Sequence, residues 1–280
     1  MKILITGAGG QLGQALPQAL KTHEVHAFTR AQLDITQLAP VRAVIERTEP
    51  ALVINAAAYN NVDEAENDSE AAYRGNALGP RNLALVTAAH RVPLLHVSTD
   101  YVFSGTGKRP YHEFDRTEPQ SVYGQSKLAG EEAVKSLNPR YYIVRTAWLY
   151  HVSGKNFPTT MMTLARRQTE VRVVNDQRGS PTYIPHLADA LVVLLQTNAY
   201  GTYHFAGQGE TTWYELTRLL YRHLNTDTIV HPVTTAEFPR PAKRPAYSAL
   251  TTLQDPRIVL PPWEEGLSQF TAAIQEFHRS

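Results

Sequence analysis

The most suggestive spacing in the chain is that of Tyr123 and Lys127, four residues apart in the stretch SVYGQSKLAGEEAV. The stretch has the pattern of a helix, in which residues i and i+4 share one face. Reduction of a ketone needs a hydride on carbon and a proton on oxygen, and a tyrosine can supply the proton. Its pKa is ordinarily about 10, and a nearby ammonium group is expected to lower it. The spacing therefore predicts that Tyr123 is a proton donor and that Lys127 is the cation that lowers its pKa. A surface helix pair without a catalytic role would have the same spacing.

Polar residues end the apolar run PLLHVST, which precedes this helix and has the pattern of a buried strand. They are Ser98 and Thr99, followed by Asp100. In an open parallel sheet, ligands bind outside the carboxyl ends of the strands. We therefore expect Thr99 to hold the substrate oxygen towards Tyr123.

A glycine-rich turn, ITGAGGQLGQAL, joins the first predicted strand to the first predicted helix. Gly7 would permit a tight turn, Gly10 would let the backbone approach a pyrophosphate, and Gly13 would let helix and strand pack closely. The free N–H groups of the helix would face the phosphates. The spacing predicts a dinucleotide site, against the alternative of a plain strand–turn–helix corner.

The end of the second predicted strand bears on which dinucleotide binds. An acidic residue there usually binds the ribose hydroxyls of NAD. The stretch HAFTRAQLD instead offers Arg30, and no acid comes before Asp34. Because a guanidinium can bind a 2′-phosphate by charge-assisted hydrogen bonds, NADPH is favoured and NADH is the alternative.

The elements that must position these residues alternate along the first half of the chain. Strands are predicted at 2–6, 24–28, 51–57, 93–99 and 141–148, and helices near 12–21, 38–48, 63–90 and 122–137. This alternation predicts an α/β fold with a doubly wound parallel sheet of the Rossmann type. Residues 1–150, with parts of 165–206, would form the dinucleotide-binding domain. Residues 207–280, rich in proline, would form a smaller C-terminal substrate-binding subdomain with contributions from 151–164.

Composition excludes several classes of function. The net charge is +1 and no run of like charges occurs, which predicts neither nucleic acid nor a membrane as a partner. Cysteine is absent, which excludes disulfides and thiolate chemistry. The 11 His are scattered without ligand spacing, so no metal site is predicted. With no long apolar stretch, the protein is expected to be cytoplasmic.

Several motifs together resemble the extended short-chain dehydrogenase/reductase family: GAGGQLG, NAAA, VSTDYVF and YGQSK. Further stretches resemble the branch that reduces the 4-keto group of dTDP-4-dehydro-L-rhamnose to dTDP-L-rhamnose, a precursor of cell-wall polysaccharide. They are NAAAYNNVDEAE, STDYVFSG, YGQSKLAGE, RTAWLY, NDQRGSPTY and RPAYSAL. The resemblance covers nearly the whole chain and implies a nucleotide-sugar substrate.

The resemblance also implies roles for individual residues. Thr99, Tyr123 and Lys127 would supply the hydroxyl, the acid and the lysine, and the last two would also contact the cofactor. Asp100 and Trp148 would contact the nucleotide-sugar, although Trp148 has the alternative of a core aromatic, and Asn156 and Arg244 are candidates for the diphosphate or the sugar. The cofactor would meet Gly10, Gln11, Leu12, Ala58, Tyr59 and Asn60. Two stretches depart from the pattern of that branch: NNVD, on the cofactor side, replaces the more usual Thr-x-Val-Asp, and SALTT, on the C-terminal substrate side, lacks the acid that often follows Ser-x-Leu.

Two other readings stay open at this point. An epimerase or 4,6-dehydratase could share the fold, but a dehydratase commonly needs an Asp-Glu pair, and here Tyr101 follows Asp100. A non-catalytic, dinucleotide-binding regulatory subunit could also share it, and retention of Thr99, Tyr123 and Lys127 argues against that reading. A homodimer is a further expectation, by analogy with proteins of this fold.

Overall fold

Residues 1–277 are described by the computed structural model, and their central feature is a six-stranded parallel sheet. The strands are β1 (Lys2–Thr6), β2 (Glu24–Phe28), β3 (Leu52–Asn55), β4 (Leu94–Thr99), β5 (Tyr141–Thr146), β6 (Leu149–Tyr150), β7 (Glu170–Val174), β8 (Arg178–Gly179), β9 (Thr182–Tyr183), β10 (Gly201–His204), β11 (Thr211–Thr212) and β12 (Ile229–Val233). The α-helices are α1 (Gln11–Ala19), α2 (Leu38–Thr48), α3 (Glu64–Asn67), α4 (Ser69–Tyr73), α5 (Gly79–Ala89), α6 (Val122–Leu137), α7 (Phe157–Ala165), α8 (Ile184–Leu195), α9 (Trp213–Leu224) and α10 (Trp263–Phe277).

The central sheet has the strand order β10-β5-β4-β3-β1-β2, and every neighbouring pair is parallel. Helices α1 and α8 pack on one face of the sheet, and α2, α5 and α6 pack on the other. Such a sheet is covered on both faces, and strands β1, β3 and β4 are accordingly almost continuously buried. The predicted doubly wound α/β fold is confirmed.

Most predicted elements occur, but the single helix predicted over 63–90 is wrong. The chain leaves helical geometry at Asp68, whose carboxylate accepts a hydrogen bond from the amide of Ala71 at 2.9 Å and so starts a new helix, α4. A π-helical turn, Arg74–Leu78, then separates α4 from α5. Aspartate favours the start of a helix over its interior because its side chain competes for backbone amides.

The C-terminal part of the chain builds a second apolar core. Helices α7, α9 and α10 pack around Leu216, Leu220, Leu267 and Phe270. Among residues 1–277, strand β12 pairs with β7 alone in a separate two-stranded sheet, and its internal proline suits a strand with a free edge. Helices α9 and α10 were not predicted from the sequence. The division of the chain into two domains at the expected boundaries stays a prediction.

A proline-rich segment returns from this second core to the end of strand β4. The amide of Tyr247 donates to the carbonyl of Gly105 at 2.9 Å, and the amide of Tyr111 donates to that of Ala249 at 2.8 Å. The segment therefore reaches the carboxyl edge of the sheet, where the predicted site residues lie. Across residues 1–277, the helices are all too short or too polar to cross a membrane.

Candidate active site

Thr99 and Asp100 lie at the carboxyl end of β4 and are buried. The Thr99 hydroxyl accepts a hydrogen bond from the amide of Tyr101 at 3.2 Å and donates one to Asp100 Oδ1 at 3.0 Å. Burial raises the pKa of Asp100 to about 6, against the opposing effect of hydrogen bonds from Ser248 and Thr99. The strand thus presents a hydroxyl and a carboxyl group whose charge changes near neutral pH.

Helix α6 presents Tyr123 and Lys127 on one buried face. The N-cap of the helix is Ser121, whose hydroxyl accepts a hydrogen bond from the amide of Gly124 at 3.2 Å. A Cβ atom on Gly124 would lie 2.3 Å from the carbonyl oxygen of Tyr101, so a larger residue there would push the helix away. Glycine at this position allows the close approach that brings Tyr123 towards Thr99.

The Lys127 ammonium donates a hydrogen bond to the carbonyl oxygen of Val97 on β4, 2.7 Å away. Burial lowers the pKa of Lys127 to about 8, although the charge of Glu131 acts in the opposite direction. Glu131 itself is buried and forms a bidentate pair with Arg145 on β5, with a shortest distance of 2.7 Å. The lysine is therefore bonded to a strand carbonyl, and the charge of the Arg145-paired Glu131 carboxylate acts on it from a distance.

The pKa of Tyr123 is raised overall in this arrangement, and the expected lowering is not found. Burial raises the pKa of the phenol well above its ordinary value, and the charge of Asp100 raises it further. The contact with Thr99 lowers it by less than burial raises it. Because burial disfavours the charged form, Tyr123 is held as a neutral phenol with its proton in place.

The glycine turn between β1 and α1 has the close contacts that its spacing predicts. Gly7 has a left-handed φ of +78°, and a Cβ atom on it would lie 2.4 Å from the amide nitrogen of Ala57. A Cβ atom on Gly13 would lie 2.2 Å from the carbonyl oxygen of Gly7. Only glycine fits at either position. The N-terminus of α1 consequently lies directly at the carboxyl edge of the sheet.

A cavity of about 370 Å³ opens beside this turn. Its lining includes seven of the predicted cofactor residues: Gly7, Gly10, Arg30, Asp34, Ala58, Tyr59 and Asn60. Arg74, which sequence reasoning missed, is a second cation in the lining. Burial raises the pKa of Asp34, but hydrogen bonds from Thr36 and the charges of Arg30 and Arg74 outweigh it, so the pKa lies below its usual value.

A second cavity, of about 350 Å³, shares four lining residues with the first: Gly10, Ala56, Ala58 and Asn60. It brings together the predicted residues Gln11, Leu12, Thr99, Asp100, Tyr123, Lys127 and Trp148. Tyr101 and Trp213, which were not predicted, also line it. The two adjoining cavities suit an extended dinucleotide. Its phosphates would bind at the N-terminus of α1, and its nicotinamide ring would lie beside Tyr123.

Asn156 and Arg244 are not among the residues that line either cavity. Asn156 caps α7, and its amide group donates hydrogen bonds to Gln11 Oε1 at 2.8 Å and to a backbone carbonyl. Arg244 donates to Asp63 Oδ2 at 2.9 Å and to the Tyr101 hydroxyl at 3.2 Å. Through these contacts Asn156 steadies a cofactor-side residue, and Arg244 steadies the loop beside Tyr123.

Asn76 is a further residue that sequence reasoning missed. It lies fully buried in the π-helical turn, accepts a hydrogen bond from the amide of Tyr59 at 2.8 Å and donates to the Tyr59 carbonyl and to Ser126. It thereby ties the loop that lines both cavities to α6. A polar residue in the middle of an apolar helical pattern was the available signal. In the described part of the chain, no three His, Asp or Glu side chains are grouped so as to hold a metal ion.

Comparison with known proteins agrees with this geometry. The sequence profile of the RmlD substrate binding domain matches residues 1–276. The chain is 42% identical to a dTDP-4-dehydrorhamnose reductase of Mycobacterium tuberculosis, over 97% of this chain and 93% of the other. It is 43% identical to a dTDP-4-keto-6-deoxy-D-glucose reductase of Streptomyces niveus, over 88% and 87%.

A solved structure of similar shape is that of a dTDP-4-dehydrorhamnose reductase from Bacillus anthracis in complex with NADP. It superposes with a TM-score of 0.93 at 40% identity, and covers 97% of this chain and 99% of the other. A match of this extent includes the glycine turn, strand β4, helix α6 and the C-terminal core alike. The chain therefore belongs to the RmlD substrate binding domain family, within the wider short-chain dehydrogenase/reductase fold.

Proposed function

We propose that this protein is an oxidoreductase that reduces the 4-keto group of a dTDP-linked 6-deoxy-4-keto sugar with NADPH, and that dTDP-4-dehydro-L-rhamnose is the substrate. The observation that carries the proposal is that Tyr123, Lys127 and Thr99 share one cavity with Gln11 and Leu12 at the start of α1. A proton donor and a dinucleotide site that adjoin in this way suit ketone reduction. The names of the relatives support the dTDP-sugar as the substrate class.

The cofactor is held, in this proposal, by the glycine turn and by the residues of the first cavity. Gly7, Gly10 and Gly13 bring backbone amides to the pyrophosphate, and Arg30 with Arg74 offers positive charge to a 2′-phosphate. The positive charges of Arg30 and Arg74 support NADPH as the cofactor, and NADH is the alternative cofactor. When bound, the nicotinamide supplies the hydride.

Residues of the chain donate the proton to the carbonyl oxygen. Tyr123, kept neutral by burial, gives its hydroxyl proton to the carbonyl oxygen as that oxygen gains negative charge. The Thr99 hydroxyl turns its single proton from Asp100 to the same oxygen, donates a hydrogen bond to it and so orients it. Lys127 stabilises the phenolate that is left, because an ammonium group favours the charged form of a nearby phenol.

Other readings are less well supported. A dehydratase needs a second acid–base residue, and position 101 is a tyrosine whose hydroxyl accepts a hydrogen bond from Arg244. A regulatory subunit without turnover would not need Tyr123, Lys127 and Thr99 in one cavity. Reduction of dTDP-4-keto-6-deoxy-D-glucose is the alternative substrate reading, because one relative carries that name.

The decisive experiment mixes the purified protein with dTDP-4-dehydro-L-rhamnose and follows the absorbance of NADPH, then of NADH. Wild-type turnover that falls by about 10²-fold or more in Tyr123→Phe would support the proposal, since general acid catalysis contributes on that order. Tyr200→Phe, which changes a surface tyrosine, is the matched control and should turn over normally. Bound NADPH without any turnover would favour the regulatory subunit.

The oligomeric state and the location of the protein are separate predictions. A homodimer is expected by analogy with proteins of this fold, and light scattering at several protein concentrations would test it. A cytoplasmic location is expected for an enzyme that uses NADPH and a nucleotide-sugar, and cell fractionation would test it.

A further inference from the structure

Arg244 connects two parts of the chain beside the second cavity. Its guanidinium donates one hydrogen bond from Nη2 to Asp63 Oδ2 at 2.9 Å and another from Nη1 to the Tyr101 hydroxyl at 3.2 Å. The guanidinium also lies over the Tyr101 ring, 5.9 Å from its centroid. Arg244 therefore holds the hydroxyl end of Tyr101, which lines the cavity that contains the predicted proton donor.

Tyr101 packs against both the ring of Tyr123 and the helix that carries it. The two phenol rings meet edge to face, with centroids 5.5 Å apart and planes at 80°. The carbonyl oxygen of Tyr101 lies so close to Gly124 that a Cβ atom there would be only 2.3 Å away. The Tyr101 ring is thus one wall of the space that the Tyr123 phenol occupies, and a shift of this ring would leave the phenol free to turn.

Asp63, the anchor of Arg244, is tied to the same helix. It is the N-cap residue of α3, and Glu66 of α3 accepts a hydrogen bond through Oε1 from the amide of Val122 at 2.9 Å. Val122 directly precedes the predicted proton donor in α6. The contacts therefore close a ring that runs from α6 through α3 to Arg244, and through Tyr101 back to α6.

A second arginine near Asp63 lacks this bridging arrangement. Arg240 lies 3.7 Å from Asp63 Oδ2 and over the ring of Phe238, and 52% of its side chain is exposed, against 18% for Arg244. An arginine can bridge two acceptors because its guanidinium presents several donors in a fixed fork, whereas a lysine offers a single ammonium group. The fork of Arg244 is used in this way, and the charge of Arg240 is largely left to solvent.

We propose that Arg244 is a positioning residue for the proton donor: anchored on Asp63, it fixes the Tyr101 ring against Tyr123 and so keeps the Tyr123 hydroxyl in place for proton transfer. Arg244 itself contacts neither the sugar-nucleotide nor the cofactor in this proposal. The inference rests on the proposed function, because it requires that Tyr123 protonates the carbonyl oxygen. Misplacement of a reacting group by about 1 Å can lower a rate by about 10²-fold.

The test measures kcat, KM and the Kd of NADPH for Arg244→Ala and Arg244→Lys with dTDP-4-dehydro-L-rhamnose. In both variants we expect kcat to fall about 10-fold or more, with KM for the sugar-nucleotide within about threefold and the Kd of NADPH within about twofold. The lysine keeps a charge for Asp63 but lacks the fork that reaches Tyr101. Arg240→Ala is the matched control and should keep kcat within about twofold of wild type.

A double-mutant cycle tests whether Arg244 acts through Tyr101. Tyr101→Phe keeps the ring and removes the oxygen that Arg244 binds, so kcat should fall by a factor similar to that in Arg244→Lys. Because both changes break one contact, combining them should lower kcat by less than about twofold beyond either alone.

Three results would overturn the inference while leaving the proposed function in place. A rise in KM at unchanged kcat in the Arg244 variants would mean that Arg244 binds the substrate directly. Wild-type kcat in Arg244→Lys would mean that a charge beside Asp63 is sufficient, and multiplicative losses in the cycle would mean that Arg244 does not act through Tyr101. Absence of turnover in the wild type would instead overturn the proposed function, and this inference with it.

Discussion

The ammonium group of Lys127 is bonded to the carbonyl oxygen of Val97, 2.7 Å away, on the strand that ends in Thr99. The bond ties helix α6 to strand β4 two residues before the hydroxyl that is proposed to orient the substrate. Lys127 consequently has a structural contact as well as its proposed chemical role, and its buried charge makes the protein's stability depend on pH.

Lys127→Met should abolish most turnover and yet stabilise the protein at pH 7. The pKa of Lys127 lies near 8 in the folded protein and higher in the unfolded chain, so burial of the charge destabilises the fold at all pH values below 8. We expect a gain of about 1–3 kcal/mol in the free energy of unfolding, since some hydrogen bonding is lost. The gain should shrink as pH rises from 8 towards 10, because the wild-type lysine then loses its proton.

Denaturant unfolding at pH 6 to 9.5 would measure this difference. Lys21→Met, which removes an exposed lysine, is the control and should show no such pH dependence. A Lys127→Met protein less stable than wild type at pH 7 would contradict the prediction.

Asp100→Asn should also stabilise the protein at pH 7. The folded-state pKa of Asp100, about 6, lies above its ordinary value, so wild-type stability falls as pH rises from about 4 to 6 and the full penalty is present above 6. The shift corresponds to about 2–3 kcal/mol, and the asparagine variant should lack this part of the pH dependence. Thermal unfolding between pH 4 and 7.5 would measure it.

Asp115→Asn is the matched control for Asp100→Asn. The hydrogen bonds from Arg109 lower the pKa of Asp115, so its contribution to stability is present above the unfolded pKa and is lost as pH falls. The two variants should therefore change the pH profile in opposite directions. Parallel shifts would show that the environment of Asp100 does not disfavour its charge.

Arg30→Ala should weaken NADPH far more than NADH. Arg30 lines the first cavity beside Arg74, and only NADPH carries the 2′-phosphate that a guanidinium binds well. We expect the Kd of NADPH to rise about 10-fold and that of NADH to change by less than about twofold, which fluorescence titration would measure. Arg47→Ala removes an exposed cation of α2 outside the cavity, and equal effects of the two variants would count against the assignment.

Glu131→Gln should destabilise the protein by about 3–5 kcal/mol, because it leaves the buried guanidinium of Arg145 without its carboxylate. Lys135 contacts the same carboxylate at 3.5 Å but is partly exposed, so Lys135→Gln should cost less than about 1 kcal/mol. Chemical denaturation of both variants would compare the two pairs. Similar losses would mean that Arg145 finds another partner.

Local patterns were enough to predict much of the fold. The predicted bounds of α2 and α6 and of strands β1 and β2 agree with the structure because hydrophobic periodicity over ten or so residues reflects the faces that each element buries. The break at Asp68 was missed because alanine and glutamate, which favour helices, flank it on both sides. Helix α9 was missed because the high proline content of residues 207–280 as a whole predicts irregular structure and outweighs the helical pattern of Trp213–Leu224.

The sequence by itself determined the doubly wound sheet, the dinucleotide turn and the pairing of Tyr123 with Lys127, since each depends on residue types at short, fixed spacings. Only the tertiary structure decided that Lys127 binds Val97 and that burial raises the pKa of Tyr123. It alone brought Trp213 onto Trp148, residues far apart in the chain. Burial and long-range contacts depend on how whole elements pack, and they cannot be predicted from the spacing of residues along the chain.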